Sequence, residues 1–147
     1  MEGQFFTSTE AANITQCSRR QLQYWRERGV VVPSVNTTGK GRNVYYSLAD
    51  LLALTAMKYL LSVGLSFDVC RTALNSLRKA EPSFFDNPFS YRSKKRFMLW
   101  QPAPEQELDL TEFDEKEAIA AVKSGRTVIP FWTENLREKL HQTISGI

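Results

Sequence analysis

The sequence predicts a mainly α fold with a small β wing in its first half and a small α+β module in its second. Three observations carry this. First, helix-start signatures stand at Thr7, Ser18, Ser47 and Ser66, and the first three are followed three residues on by Glu10, Gln21 and Asp50. A hydroxyl there accepts from the backbone three positions ahead, and the later side chain reaches back, so each of these three pairs closes a helix N-terminus twice. Second, "VNTTGKGRNVYYS" at 35–47 holds two glycines and two cations between β-prone residues, which predicts a hairpin with an exposed, basic tip. Third, the helical period stops at Glu81-Pro82, where "EPSFFDNPFSYRSKKRFMLWQPAP" carries four prolines and six aromatics. The chain is therefore divided at 1–80 and 81–147.

The elements follow in order. A short helix starts after Thr7 and stops near Ile14. A second starts at Ser18 and runs to about Arg28, where Gly29 supplies a left-handed terminal residue. About three residues join the two, which is helix-turn-helix geometry. Ser47 opens a third helix that is apolar on most of its circumference through Val63, and so buried. Gly64 stops it, and Ser66 opens a fourth that runs to about Lys79. After residue 80 the expectation is loop, one strand around Arg96–Trp100, a helix over Asp114–Ser124 ended by Gly125, and a strand in "RTVIPFW" held to a sheet edge by Pro130. Thr133–Ser145 closes the chain as an amphipathic helix with Leu136, Leu140 and Ile144 on one stripe.

Composition narrows the function. With 147 residues, 42% of them apolar, the chain can bury a core. No apolar run reaches the length of a membrane span, and no signal-peptide pattern opens the chain, so a cytoplasmic protein is expected. Cys17 and Cys70 lack metal-ligand spacing and are read as reduced thiols. No metal or cofactor site is expected. No nucleophile–base pair or carboxylate dyad stands out, and Gly39-Lys40-Gly41 is too short for a phosphate-binding loop, so an enzyme is not expected. His141 is the only histidine and is expected at the surface.

Charge separates the halves. Residues 1–80 hold ten Lys/Arg against five Asp/Glu, a net of +5; residues 81–147 hold nine against eleven, a net of −2. The first half is the candidate for a polyanion partner. On a wheel of 100° per residue, Leu22 and Trp25 of the second helix share one side, while Arg20, Gln23 and Tyr24 share an arc on the other. A cation, an amide and a phenol can all bond phosphates or base edges. A solvated face remains the alternative for this helix taken alone. The basic loop beside it favours DNA, because a helix in the major groove with a flanking basic wing is the logic of a winged helix-turn-helix.

A resemblance adds to this. Phe6-Thr7 before the first helix, Ser18 with Arg20, Leu22 and Tyr24-Trp25, Gly29-Val30-Val31 followed by Pro33, Tyr46-Ser47 with Asp50-Leu51, and Gly64-Leu65-Ser66 together resemble the DNA-binding domain of the MerR family of bacterial transcription regulators over about residues 5–79. The resemblance implies a homodimer on double-stranded DNA that distorts a promoter so that RNA polymerase engages it. DNA contacts are expected at Ser18, Arg19, Arg20, Gln23, Tyr24 and Tyr46, with Lys40, Arg42 and Asn43 in the wing. The chain departs from the family pattern at Gln16, where glycine is usual, and at Gln23 and Val44, where arginine is. Pro82 and Pro88 also forbid the long dimer helix that usually follows. The second copy is therefore expected on Leu136, Leu140 and Ile144, with aromatics from 84–100. Truncation after Lys79 is expected to leave a folded, monomeric module. A DNA-bending architectural protein, of the kind that sets the direction of recombination, is the second class. Phe84, Phe85, Phe89, Tyr91, Phe97 and Trp100 could line a small-molecule pocket, although a mini-core or dimer contact is the favoured reading, and the effector is left unknown.

Overall fold

The computed structural model describes residues 4–36, 44–86 and 95–145. The elements run β1 (Phe5–Thr7), α1 (Ser8–Thr15), α2 (Arg19–Glu27), β2 (Val35–Asn36), β3 (Val44–Ser47), α3 (Leu48–Ser62), α4 (Phe67–Ala80), α5 (Ser83–Asp86), β4 (Arg96–Trp100), β5 (Asp109–Glu112), α6 (Glu115–Lys123), β6 (Val128–Trp132) and α7 (Thr133–Ser145). The first half is a helix-turn-helix with a three-stranded antiparallel sheet in the order β1-β3-β2, and the second is an α+β module on a sheet ordered β5-β4-β6.

Local signals set the helix starts. Thr7 Oγ1 accepts from the Glu10 amide at 3.1 Å, and Glu10 Oε1 accepts from the Thr7 amide at 2.9 Å. Ser18 and Gln21 close the same reciprocal pair of hydrogen bonds at 3.0 and 2.9 Å, and Ser47 and Asp50 at 3.1 and 2.9 Å. Ser66 caps α4 through the Val69 amide, and Asp114 caps α6 through the Glu117 amide. Pro130 lies in edge strand β6, where the missing N–H removes no central ladder bond. Three elements go beyond the sequence expectation: β1, α5 and β5. Each spans three or four residues. β1 and β5 exist only because β3 and β4 pair with them.

One hydrophobic core takes side chains from both sides of residue 80. α3 lies at its centre, with Leu51, Leu52, Leu54, Met57 and Leu60 fully buried. Leu22 and Trp25 of α2, Leu74 and Leu77 of α4, Phe84 of α5, Phe97 and Leu99 of β4 and Phe131 of β6 join the same cluster. α7 packs on α1 and α3, and Leu136 and Leu140 are 5% and 2% exposed there, with Ile144 half-buried against them. This corrects the dimer contact expected of Leu136, Leu140 and Ile144. The stripe is real, but it faces this chain's own α1 and α3. The other face of β4 carries Met98 and Trp100 into a small separate cluster with Ala118 and Ala121 of α6.

Gln16 sits in the left-handed region, at φ 63° and ψ 20°. This is the turn between α1 and α2, and only glycine adopts it without strain from Cβ. The Gln16 side-chain Nε2 donates to the Asn13 carbonyl at 2.8 Å, which offsets part of that strain. Gln16→Gly is expected to raise stability by about 0.5–1 kcal/mol in urea denaturation, since relief of the strain exceeds the added chain entropy. A loss of stability would show that the side-chain bond outweighs the strain.

Both cysteines are free and buried. Burial pushes the Cys17 thiol up and the Cys70 thiol up to about 11. At pH 8 only about one Cys70 in a thousand is thiolate, so alkylation of the native protein should be orders of magnitude slower than that of the urea-unfolded chain. Equal rates would mean that the core around α4 opens readily.

Candidate nucleic-acid interface

The geometry of α2 follows from its two sides. Leu22 and Trp25 anchor it in the core, each 2% exposed. The Arg28, Gly29 and Val30 amides then close the helix end on Tyr24, Arg26 and Trp25 carbonyls, with Gly29 at φ 70°. The opposite arc is left to solvent: Ser18, Arg19, Arg20, Gln23 and Tyr24 are all exposed. Arg19 and Arg20 form no ion pair with any described residue. Gln23 donates to Glu27 Oε1 at 3.1 Å, which turns the Glu27 carboxylate along the helix. The Tyr24 ring meets Phe67 edge-on at 5.1 Å and lies under the Arg28 guanidinium at 5.0 Å.

The base of the wing is fastened to α3. Asp50 Oδ2 accepts from the Ser34 amide and from the Ser34 hydroxyl, both at 2.8 Å, while the same oxygen closes the α3 cap. One carboxylate thus fixes both the helix start and the entry to β2. Arg78 of α4 ties the segment after α2 from the other side, donating to the Val30 carbonyl at 2.9 Å. Arg78 is half-buried, and that burial lowers its pKa. Lys40, Arg42 and Asn43 lie outside the described residues.

Tyr46 is corrected. It is 2% exposed, paired across the sheet with buried Phe6, and burial pushes its phenol pKa up. Strand alternation puts Tyr45 outward instead, at 37% exposure. The alternation of Val44, Tyr45, Tyr46 and Ser47 is the signal that identifies Tyr45, once one inward residue is known.

The basic run after residue 90 is used internally where it is described. Lys95 pairs with Glu81, and Arg96 pairs with Glu134 over the Trp132 ring. Arg92 and Lys94 lie outside the described residues, as do Phe89 and Tyr91. Phe84, Phe97 and Trp100 are core side chains. A cavity of about 480 Å³ does lie between α4 and the β4–β5 connection, but Leu65, Val69, Leu99 and Leu108 line it rather than those aromatics. Among the described residues no cluster of His, Cys, Asp or Glu could hold a metal ion, and no helix is long and apolar enough to cross a membrane.

Comparison with known proteins bears on this half of the chain. Residues 6–77 match the family model described as "MerR HTH family regulatory protein". The chain carries a MerR-family helix-turn-helix domain. In Mycobacterium bovis and in two strains of Mycobacterium tuberculosis, proteins named as uncharacterized HTH-type transcriptional regulators are 36% identical to it over 75 residues, which are 50% of this chain and 33% of each relative. The match thus spans about a third of those relatives' own length. A crystal structure of a MerR-family transcriptional regulator from Bacillus cereus is 17% identical, with a TM-score of 0.44, covering 82% of this chain and 76% of that one. The MerR-family domain holds α1 to α4 apart from the last three residues of α4, so it includes α2, the base of the wing and the Asp50 fastening.

Proposed function

We propose that this chain is a sequence-specific DNA-binding transcription regulator that acts as a homodimer. The observation that carries it is the exposed arc of α2. Arg20, Gln23 and Tyr24 stand together on the side away from the core, in a domain of MerR type. α2 enters the major groove, and the wing, with Lys40, Arg42 and Asn43, meets phosphates beside it. The relatives' names are those of transcriptional regulators, which favours regulation over an architectural role. Two copies are needed because one such module reads only a half-site. Since α7 is engaged inside the chain, the second copy contacts another surface. The dimer then distorts promoter DNA so that RNA polymerase engages it in the cytoplasm.

Genome-wide mapping of bound sites, with footprinting of the strongest one by the full chain, tests this. The expected result is a protected site of two half-sites beside a promoter. Absence of any enriched site, with no protection at low salt, would sink it.

A further inference from the structure

α6 (Glu115–Lys123) distributes its apolar side chains against the usual order. Its two buried residues are small, Ala118 and Ala121, packed with Met98 and Trp100 of β4. Its large aliphatic residues face outward: Ile119 is 46% exposed and Val122 61%. β-Branched side chains lower helix propensity and gain nothing by facing water, so packing within this chain does not account for the pair. Phe113, 36% exposed, stands just before the Asp114 cap and extends the apolar edge. On a helical wheel Val122, Glu115, Ile119 and Lys123 fall in that order within an arc of about 100°, away from Ala118 and Ala121. Glu115 and Lys123 form no ion pair with any described residue. Each has Ile119 one turn away, where an intrahelical partner would stand.

An antiparallel copy of the helix supplies what this stripe lacks. A two-fold axis at Ile119 sets Glu115 opposite the partner's Lys123, and symmetry makes that pair twice. Ile119 meets its own counterpart, and Val122 lies on the aliphatic stem of the partner's Lys116. A parallel pair would instead set Glu115 against Glu115 and Lys123 against Lys123. The acidic first turn and basic last turn of α6 thus fit the antiparallel direction alone.

We propose that a second copy of this chain docks on the exposed face of α6, the two helices packed antiparallel about Ile119. This rests on the homodimer reading above and names its surface, in place of the α7 stripe. A pair of nine-residue helices buries less than the roughly 1,200 Å² of a standard stable interface, so the copies associate weakly in solution and more tightly on adjacent half-sites.

Sedimentation of the full chain over a micromolar to submillimolar series reads the association. Ile119→Lys is expected to weaken it by at least about tenfold, with stability unchanged because the site is exposed. Glu115→Lys and Lys123→Glu are each expected to weaken it by roughly three- to tenfold, since each sets two like-charge pairs across the interface. Mixing these two variants in equal amounts is expected to restore it, because both pairs are then of opposite sign. Misfolding cannot produce that gain. Ile119→Cys is expected to form a symmetric disulfide under mild oxidation, Cys17 and Cys70 being buried, whereas Glu117→Cys, off the stripe, does so far more slowly. No cross-link in Ile119→Cys, or a mixture as weak as either charge variant, would overturn the surface, while a wild-type dimer protecting two half-sites would leave the homodimer reading standing. A wild-type chain that sediments as a monomer throughout and protects a single half-site would overturn both.

Discussion

Replacing Leu136 and Leu140 with alanine together is expected to remove most of the stability of this protein while leaving its association state unchanged. Both side chains are buried against α1 and α3. A buried leucine cut to alanine costs about 2–5 kcal/mol, from lost transfer energy and the cavity left behind. The pair lies one turn apart, so the two losses do not add strictly. Even so, their sum approaches the total stability of about 5–15 kcal/mol of an ordinary domain. Leu140→Ala alone keeps the measurement within range if the double variant is largely unfolded. Urea denaturation reads the stability, and sedimentation under native conditions reads the association. A variant that stays as stable as the wild type but loses its second copy would return the α7 stripe to a dimer contact. The same packing revises the truncation after Lys79. Such a fragment loses Phe97, Leu99, Phe131, Leu136 and Leu140 from the shared core, so it is expected to unfold at markedly lower urea than the full chain.

The difference between these two views of α7 shows where the sequence stops informing. Amphipathicity reveals that Leu136, Leu140 and Ile144 need an apolar partner. It does not say whose. The partner surface on α1 and α3 is assembled from residues more than 70 positions away, so no local pattern points to it. Helix starts behave oppositely. Thr7–Glu10, Ser18–Gln21 and Ser47–Asp50 close bonds over three residues, and that spacing is present in the sequence itself. β1 and β5 are too short to show alternation, and they become strands only when β3 and β4 supply the partner edge.

The interface divides along the same line. The arc of Arg20, Gln23 and Tyr24 was legible because helix geometry alone separates it from Leu22 and Trp25. Tyr46 was misplaced because two adjacent tyrosines on a strand point opposite ways, and the register that decides between them is set by Phe6, forty residues earlier. The Asp50–Ser34 fastening and the Tyr24–Phe67 contact join distant segments. A single sequence carries no mark of either.

The second large effect concerns DNA. Arg20→Ala is expected to lower affinity for the cognate site by about 1–3 kcal/mol, roughly five- to 150-fold, if its fork reads a base edge. Arg20 is exposed on the arc opposite the buried Leu22 and Trp25, so its removal leaves no cavity and no unpaired buried group, and stability should stay within about 0.5 kcal/mol of the wild type. Affinity for unrelated duplex should fall far less, because that binding depends on summed phosphate contacts. Replacing Lys40 and Arg42 together is expected to do the reverse. Binding to cognate and unrelated duplex should weaken alike, and the salt slope should drop by about two phosphate contacts' worth, roughly 1.8 on the log–log plot. Titrations of both duplexes at several salt concentrations separate the two behaviours. If Arg20→Ala weakens all sequences equally, its guanidinium holds a phosphate and Gln23 or Tyr24 is left to read the base. If the wing variant discriminates against the cognate site alone, the wing reads sequence and α2 supplies position.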